Sequence, residues 1–332
     1  MLRHAINIKR RQCRKTESPI TMAFVLVTGA NGFVGQVLCK QLKLSGREVK
    51  QVVRNATSPQ QIPIGNMNGT TDWQPALEGC DTVIHLAARV HIMNDTATEP
   101  LTEFRQVNTE GTLNLARQAA LYGIKRFVFI SSLKVNGESG MFSETSKPEP
   151  EDAYAISKWE AECGLHDIAY ETGMEVVVLR PPLVYGPGVG ANFMRLLNAI
   201  HKGIPLPFGS MKNSRSLIYL DNLVSAILAC ASHPAAAGKT YLVSDNHDVS
   251  TVELITQLAK ALGRAPRLIR IPPKFIEWLG AFIGKRKEFD RLLGSLTIDG
   301  KAITRDLGWT PPFTMQEGLV ATIAWYRQRH PQ

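Results

Sequence analysis

Two polar side chains have the spacing that proton transfer requires. Tyr154 and Lys158 are four residues apart in a predicted helix, so both face the same way. An ammonium beside a phenol stabilises the phenolate and is expected to lower the pKa of the tyrosine. Such a tyrosine can exchange a proton with a substrate hydroxyl. A Tyr-x-x-x-Lys pair also occurs on solvated helix faces, but here Ser132 precedes it at the end of a strand-like run, and this order favours catalysis.

A glycine-rich turn lies near the start of the chain. Residues 28–35 are Thr-Gly-Ala-Asn-Gly-Phe-Val-Gly, and they follow the apolar run 24–27 and precede an apolar helical pattern. A strand, a glycine turn and a helix in this order place backbone amides against the pyrophosphate of a dinucleotide. A dinucleotide together with a tuned tyrosine indicates hydride and proton transfer at a carbinol carbon.

Apolar strand patterns alternate with helical patterns around these motifs. This alternation predicts an α/β fold with a doubly wound parallel sheet. The predicted strands are 23–28, 49–53, 82–87, 126–131 and 175–180, and the predicted helices lie near 33–45, 101–122 and 151–172.

The chain resembles the extended short-chain dehydrogenase/reductases of the NAD-dependent epimerase/dehydratase family, in particular the UDP-glucose 4-epimerase-like branch. The resemblance covers residues 23–328 and depends on motifs in a fixed order. Besides the glycine turn and the residues Ser132, Tyr154 and Lys158, these motifs are residues 83–88, 107–112, 135–137 and 179–187.

The resemblance implies roles for individual residues. The catalytic residues would be Ser132, Tyr154 and Lys158, of which Ser132 holds the reacting oxygen. The cofactor contacts would be Gly29, Asn31, Gly32, Phe33, Val34, Gly35, Arg54, Asp72, Leu86, Ala87, Ala88, Asn108, Ser131, Tyr154 and Lys158. The substrate contacts would be Arg89, His91, Ser132, Asn192 and Arg215.

Alternative roles stay open for several of these residues. Asn192 and Arg215 would bind the nucleotide diphosphate, but a helix N-cap and a solvated arginine are the alternatives. For Asn108 the alternative is a buried amide that braces neighbouring backbone, and Ser131 is either a structural contact or a cofactor contact. His85 lies in an apolar strand and is interpreted as a hydrogen-bonded core histidine.

Three domains are expected from the patterns and the resemblance. Residues 1–22 are expected to form a flexible N-terminal tail, with Met22 as a candidate natural start, and a transit peptide is the alternative. Residues 23–181 form a Rossmann domain that binds the dinucleotide. Residues 182–332 form mainly a smaller substrate-binding domain, with some segments returning to the Rossmann core.

Composition limits the partners and the compartment. The chain carries a formal net charge of +9, but much of it lies in residues 1–21, so no nucleic-acid partner is expected. The five cysteines are scattered, which predicts no metal site and favours the cytoplasm. The apolar stretch 273–287 has basic ends and indicates either peripheral membrane contact or an ordinary packed helix. The resemblance implies a homodimer through the two long helices.

Departures from the epimerase pattern leave the chemistry open. Arg54 stands where an NAD enzyme usually has an acid, so the cofactor is NAD or NADP. Leu183 replaces a sugar-contacting asparagine, and Asn136 stands where a tyrosine is common. Residues 89–95 resemble a subgroup from bacterial surface-polysaccharide pathways, which includes UDP-4-keto-6-deoxy-N-acetylhexosamine reductases.

Three functions therefore follow from the sequence. The first is a nucleotide-sugar 4-epimerase that acts on a UDP-sugar with bound NAD. The second is an NAD(P)H-dependent reductase of a UDP-4-keto-6-deoxy-N-acetylhexosamine. The third, a non-catalytic cofactor-binding regulator, has no need of Ser132, Tyr154 and Lys158 together.

Overall fold

A parallel sheet of seven strands organises the chain, in a computed structural model that describes residues 23–90, 99–272, 275 and 293–330. The tail 1–22, His91 and almost all of 273–287 lie outside the described residues. The strands are β1 Phe24–Thr28, β2 Val49–Val53, β3 Gln61–Pro63, β4 Cys80–His85, β5 Arg126–Ile130, β6 Gly140–Phe142, β7 Glu175–Arg180, β8 Leu183–Tyr185, β9 Arg215–Tyr219, β10 Thr240–Leu242, β11 Asp248–Val249 and β12 Leu296–Ile298.

The order of the central sheet is β10-β7-β5-β4-β1-β2-β3, and every neighbouring pair is parallel. The chain connects the strands outwards from β1 to β3 on one side and from β4 to β10 on the other. The order of connection therefore reverses between β1 and β4, which makes the carboxyl ends of these two parallel strands the switch point of the fold. Both faces of the sheet are covered, so β1 is apolar along almost its whole length. The predicted α/β fold with a doubly wound sheet is confirmed.

Helices cover the two faces of the sheet. They are α1 Phe33–Leu44, α2 Gln74–Leu77, α3 Pro100–Phe104, α4 Thr112–Leu121, α5 Ala153–Thr172, α6 Ala191–His201, α7 Leu220–Ser232, α8 Thr251–Leu262, α9 Lys301–Leu307 and α10 Met315–Arg329. One apolar core includes residues of α1 and α7, and a second includes residues of α4 and α5. The strand and helix predictions agree with the observed elements, except that the predicted helix 101–122 is not continuous.

That helix is interrupted by a π-helix, Arg105–Gly111, between α3 and α4. A π-helix widens the turn and is frequent at functional sites. The apolar pattern of the segment did not reveal this change.

A second sheet has the order β11-β9-β12-β6, and β8 pairs with β9. Its strand β6 comes from the first half of the chain and pairs with β12 near the end. In the opposite direction, β10 returns to the edge of the central sheet beside β7. No helix in the described part of the chain combines the length and the apolar composition needed to cross a bilayer.

Candidate active site

The glycine turn lies at the switch point and is packed too tightly for larger residues. A Cβ at Gly35 would lie 2.2 Å from the carbonyl oxygen of Gly29, and a Cβ at Gly29 would lie 3.0 Å from the amide of Ala87. Gly29 also has a φ of +67°, which favours glycine. The close approach joins the start of α1 to the chain that leaves β4.

The first turn of α1 presents its amides without competition. Gly32 is the N-cap and has no side chain to bind them, and the first residues of the helix are uncharged. Such a helix start binds an anion through its N–H groups and its dipole. Of the predicted cofactor residues, Phe33 and Val34 begin this turn and Asn31 directly precedes its N-cap. Gly188 packs against the ring of Phe33, so the segment after β8 lies next to the helix start.

The end of β4 is fixed by hydroxyl groups. Thr28 Oγ1 accepts hydrogen bonds from the amides of Leu86 (3.2 Å) and Ala87 (3.1 Å). Its own proton is therefore donated to His85 Nδ1 at 2.7 Å, which leaves Nε2–H to bind Thr112 Oγ1 at 2.9 Å. Burial, followed by the charge of Lys158, lowers the pKa of His85 to about 3. His85 is thus a neutral core histidine, as expected.

Asn108 holds the next segment in place from the π-helix. Its Oδ1 accepts from the Arg89 amide at 2.8 Å, and its Nδ2 donates to the Arg89 carbonyl and to Ser157 Oγ, both at 3.0 Å. Asn108 is fully buried. Its side chain therefore braces the backbone that follows Ala88, which is the structural role that the sequence offers as the alternative to a cofactor contact.

The predicted cofactor residues Arg54 and Asp72 lie in different places. Arg54 is exposed at the carboxyl end of β2, and its carbonyl accepts from the amide of Gly65 at 3.1 Å. Asp72 lies in the turn before α2, where its carboxylate accepts from the Gln74 amide at 3.0 Å. Arg54 therefore lies beside Gly65, in the segment just after β3.

Helix α5 carries Tyr154 and Lys158 and has defined ends. Asp152 caps its N-terminus by accepting from the Ala155 amide at 2.8 Å, and Gly173 ends it with a φ of +74°. Ser132 follows β5 and lies close enough to the phenol of Tyr154 to lower its pKa. Lys158 Nζ donates to the Ile130 carbonyl at 2.9 Å and lies 4.4 Å from the centre of the Phe129 ring. The structure therefore brings the three predicted catalytic residues together at the carboxyl edge of the central sheet.

The electrostatics differ from the expectation that Lys158 lowers the pKa of Tyr154. Burial and the charge of Asp152 raise the pKa of Tyr154 to about 12, against the hydrogen bond with Ser132. Burial lowers the pKa of Lys158 to about 7, against the nearby charge of Glu162. The ammonium is directed to the Ile130 carbonyl, and desolvation of the phenol dominates in the protein alone.

A buried ion pair lies behind the catalytic residues. Arg180 Nε donates to both carboxylate oxygens of Glu162 at 3.1 Å, and the Ser131 hydroxyl donates to the same carboxylate. Arg180 also donates to Asn136 Oδ1 at 3.1 Å. The side chain of Ser131 is thus structural, and Asn136 is buried in this network rather than facing the cleft.

The predicted substrate residues have different surroundings. Arg215 opens β9 and is half-buried, and burial lowers its pKa against the charge of Glu138. Asn192 is exposed in the first turn of α6, whose N-cap is Gly190, so it is not the cap. The Arg89 guanidinium lies 5.5 Å from the Phe104 ring and 3.6 Å from Glu103. His91 lies outside the described residues.

The residues at this edge fit a dinucleotide. The amides at the start of α1 are not occupied by a capping side chain, and the Gly29 and Gly35 backbones leave no room for a Cβ. Leu183, which replaces the sugar-contacting asparagine that the resemblance implies, is 53% exposed. Two residues before it, the carbonyl of Pro181 accepts a hydrogen bond from the amide of Leu133, the residue after Ser132.

Within the described ranges, no group of three His, Cys, Asp or Glu side chains is placed to hold a metal ion.

Comparisons with known proteins agree with this geometry. The model of the "NAD dependent epimerase/dehydratase family" matches residues 25–244. A "UDP-glucose 4-epimerase" from Vibrio cholerae is 46% identical over 313 residues, which cover 92% of this chain and 95% of the relative. A "3-beta-hydroxysteroid dehydrogenase" from Mycolicibacterium neoaurum is 28% identical over 338 residues and 91% of both chains.

A solved structure is similar over almost the same length. It is that of "MoeE5 in complex with UDP-glucuronic acid and NAD", with a TM-score of 0.75 and 27% identity over 92% of this chain and 99% of its own. The matched region contains the glycine turn and the three residues Ser132, Tyr154 and Lys158. This chain therefore belongs to the NAD dependent epimerase/dehydratase family.

Proposed function

We propose that this chain is a nucleotide-sugar 4-epimerase. It would act on a UDP-sugar, oxidise C4 transiently with tightly bound NAD, and reduce the ketone from the other face. The assembly of Ser132, Tyr154 and Lys158 beside the glycine turn carries this proposal. The 46% identity to the Vibrio cholerae "UDP-glucose 4-epimerase" supports the choice of substrate class.

NAD would be held by the amides of the α1 start and by the residues from Leu86 to Ala88, and when bound it supplies reversible hydride transfer at C4. The chain itself must move one proton and hold one oxygen. Tyr154 accepts the proton of the C4 hydroxyl, and Ser132, which lies beside the phenol, holds the same oxygen. If the 4-ketosugar turns in the cleft, the proton returns from Tyr154 to the inverted alcohol.

Contacts of the nucleotide are assigned to the second half of the chain. Arg215 is half-buried and cationic, and Asn192 is an exposed amide near the loop that covers the α1 start. We propose that both bind the diphosphate, since charge-assisted hydrogen bonds suit that group. Arg89 follows the end of β4 and is proposed to lie over the hexose.

Product analysis by NMR tests the function. The purified chain is incubated with UDP-glucose and with UDP-N-acetylglucosamine, with no added nicotinamide. Conversion to the 4-epimer of either sugar establishes epimerisation with a retained cofactor, and Tyr154→Phe is the inactive control.

Arg54 favours a second candidate, because an exposed arginine after β2 can bind the 2′-phosphate of NADP. With no epimer formed, UDP-4-keto-6-deoxy-N-acetylglucosamine is supplied with NADPH or NADH. If one cofactor molecule is oxidised for each product molecule formed, the chain is the reductase and not the epimerase.

We also propose a homodimer formed through α4 and α5. Leu121 is 85% exposed and Tyr170 is 93% exposed on these helices, so both side chains are accessible to a second copy of the chain. Sedimentation velocity should show a dimer that Leu121→Glu with Tyr170→Glu dissociates. Leu44→Glu, at a 71% exposed position on α1, should leave the dimer intact.

A cytoplasmic location is part of the same proposal. Cys39, Cys80, Cys163 and Cys230 are free thiols, and burial raises the pKa of each. Such thiols persist in a reducing compartment. Cell fractionation with an antibody to the chain tests this location.

A further inference from the structure

Lys134 lies between two carboxylates that belong to different segments. Its Nζ is 2.7 Å from Asp152 Oδ2 and 3.1 Å from Glu138 Oε1. The three side chains are 33%, 19% and 11% exposed, so the cluster is partly shielded from water. The backbone amide of the same lysine donates to Ser132 Oγ at 3.3 Å. Lys134 therefore contacts both the segment after β5 that contains Ser132, called the serine loop, and the start of α5, called the tyrosine helix.

Asp152 has two opposed effects on the site. Its Oδ1 caps α5 by accepting from the Ala155 amide at 2.8 Å, and this cap fixes the turn of helix that carries Tyr154. Its negative charge, however, disfavours the phenolate form of Tyr154. The Asp152 carboxylate is needed to cap α5, but its negative charge must be offset by a nearby cation for Tyr154 to give up its proton readily.

The other groups around Tyr154 do not offset that charge directly. Lys158, one turn later on α5, donates to the Ile130 carbonyl. The Phe104 ring of α3 contacts the Tyr154 ring edge-on at 6.1 Å, and the Arg89 guanidinium lies near the same Phe104 ring and near Glu103. His85 is neutral, and Glu138 lies beside Lys134 with Arg215 nearby.

We propose that Lys134 is a positioning residue for proton transfer at Tyr154. Its ammonium holds the N-terminal cap of α5 against the serine loop, and it screens Asp152 from the phenol. Lys134 itself moves no proton and contacts no reacting atom. The proposal rests on Tyr154 as the proton carrier of the proposed function.

A set of charge variants tests this role. The tyrosines are replaced biosynthetically by 3,5-difluorotyrosine, whose phenol is more acidic, and are titrated by fluorine NMR. The signal of residue 154 is assigned by its absence in Tyr154→Phe. Lys134→Met should raise the pKa of this phenol by about half a unit to one unit, and Asp152→Asn, which keeps a good cap, should lower it by a similar amount.

Two further variants complete the set. Lys134→Met combined with Asp152→Asn should bring the pKa back towards the wild-type value, and Lys134→Arg should preserve it. Lys301→Met is the matched control, because Lys301 Nζ lies 3.2 Å from Asp299 at an exposed site away from Tyr154. This variant should leave the phenol unchanged.

The NMR titration needs no turnover, so it separates this inference from the proposed function. Equal pKa values in the wild type, Lys134→Met and Asp152→Asn would overturn the inference even if the chain epimerises UDP-sugars. If the chain shows the opposed pKa shifts but no epimerase activity, the inference about Lys134 stands and only the proposed reaction is overturned. In an active enzyme, the pH profile of kcat/KM should move in the same two directions.

Discussion

The Lys158 ammonium donates a 2.9 Å hydrogen bond to the carbonyl oxygen of Ile130, the last residue of β5. This bond joins the tyrosine helix to the strand that leads into Ser131 and Ser132. The relative position of Tyr154 and Ser132 is therefore set through the backbone of β5.

The buried Lys158 ammonium should make stability depend on pH above neutrality. Its pKa is lowered to about 7 by burial, whereas a lysine in an unfolded chain titrates near about 10.4. Between these values the unfolded chain holds a proton that the native protein has lost. The free energy of unfolding should therefore rise with pH, by up to about 1.4 kcal/mol per unit from this group. Urea unfolding from pH 7 to 9 should show this contribution in the wild type and not in Lys158→Met; identical slopes would contradict it.

Tyr154→Phe should abolish most of the turnover while leaving the fold intact. Removing the phenol oxygen removes the proton carrier, and general acid–base catalysis contributes about a hundred-fold to ten-thousand-fold. The conversion rate is measured by NMR, and retained NAD is measured by its absorbance after denaturation. Tyr170→Phe, at a 93% exposed position on the same helix, is the control and should be fully active. Turnover near the wild-type rate in Tyr154→Phe would remove Tyr154 from the mechanism.

Gly35→Ala should weaken cofactor binding strongly. A Cβ would lie 2.2 Å from the Gly29 carbonyl oxygen, so the turn must open and move the amides of α1. We expect the NAD content of the purified protein to fall at least ten-fold, with a smaller change in thermal stability. Gly69→Ala is the matched control, because a Cβ there meets only the Glu110 side chain, with Cβ at 3.5 Å and Oε2 at 3.7 Å. Equal NAD content in both variants would show that the turn tolerates a side chain.

Arg180→Met should destabilise the protein by about 3–5 kcal/mol, because it leaves the carboxylate of Glu162 buried without its cation. Chemical denaturation measures the loss. Arg105→Met breaks the pair with Glu160, whose side chains are 46% and 31% exposed, and should have a much smaller effect. Similar losses of unfolding free energy in the two variants would show that the buried pair stabilises the protein no more than the exposed pair. Because Ser131 donates to Glu162, Arg180→Met should also slow turnover.

Long periodic elements and ordered motifs were predictable from the sequence. The strand, glycine turn and helix of residues 24–44 have strong local signals, and the order of Ser132, Tyr154 and Lys158 is distinctive. The strands of the second sheet were missed because segments such as β11 and β12 are too short for a hydrophobic period.

Electrostatic details were less accessible from spacing. The separation of Tyr154 and Lys158 along the helix predicts proximity, but it contains no information about burial or about the Ile130 carbonyl that takes the ammonium. The cap by Asp152 and the neighbouring phenol both belong to the start of α5, but Lys134 reaches Asp152 only when the segment after β5 folds onto this helix.

The exchange of strands between the two sheets has a consequence for folding. Because β6 completes the sheet of the second half and β10 completes the sheet of the first, neither half of the chain can close its hydrogen-bond ladder alone. The pairing of β6 with β12 also joins segments far apart in sequence, which raises the contact order and slows folding. The two halves should therefore melt in one transition, and a fragment ending near residue 181 should be a poor substitute for the intact chain in any attempt to crystallise the cofactor site.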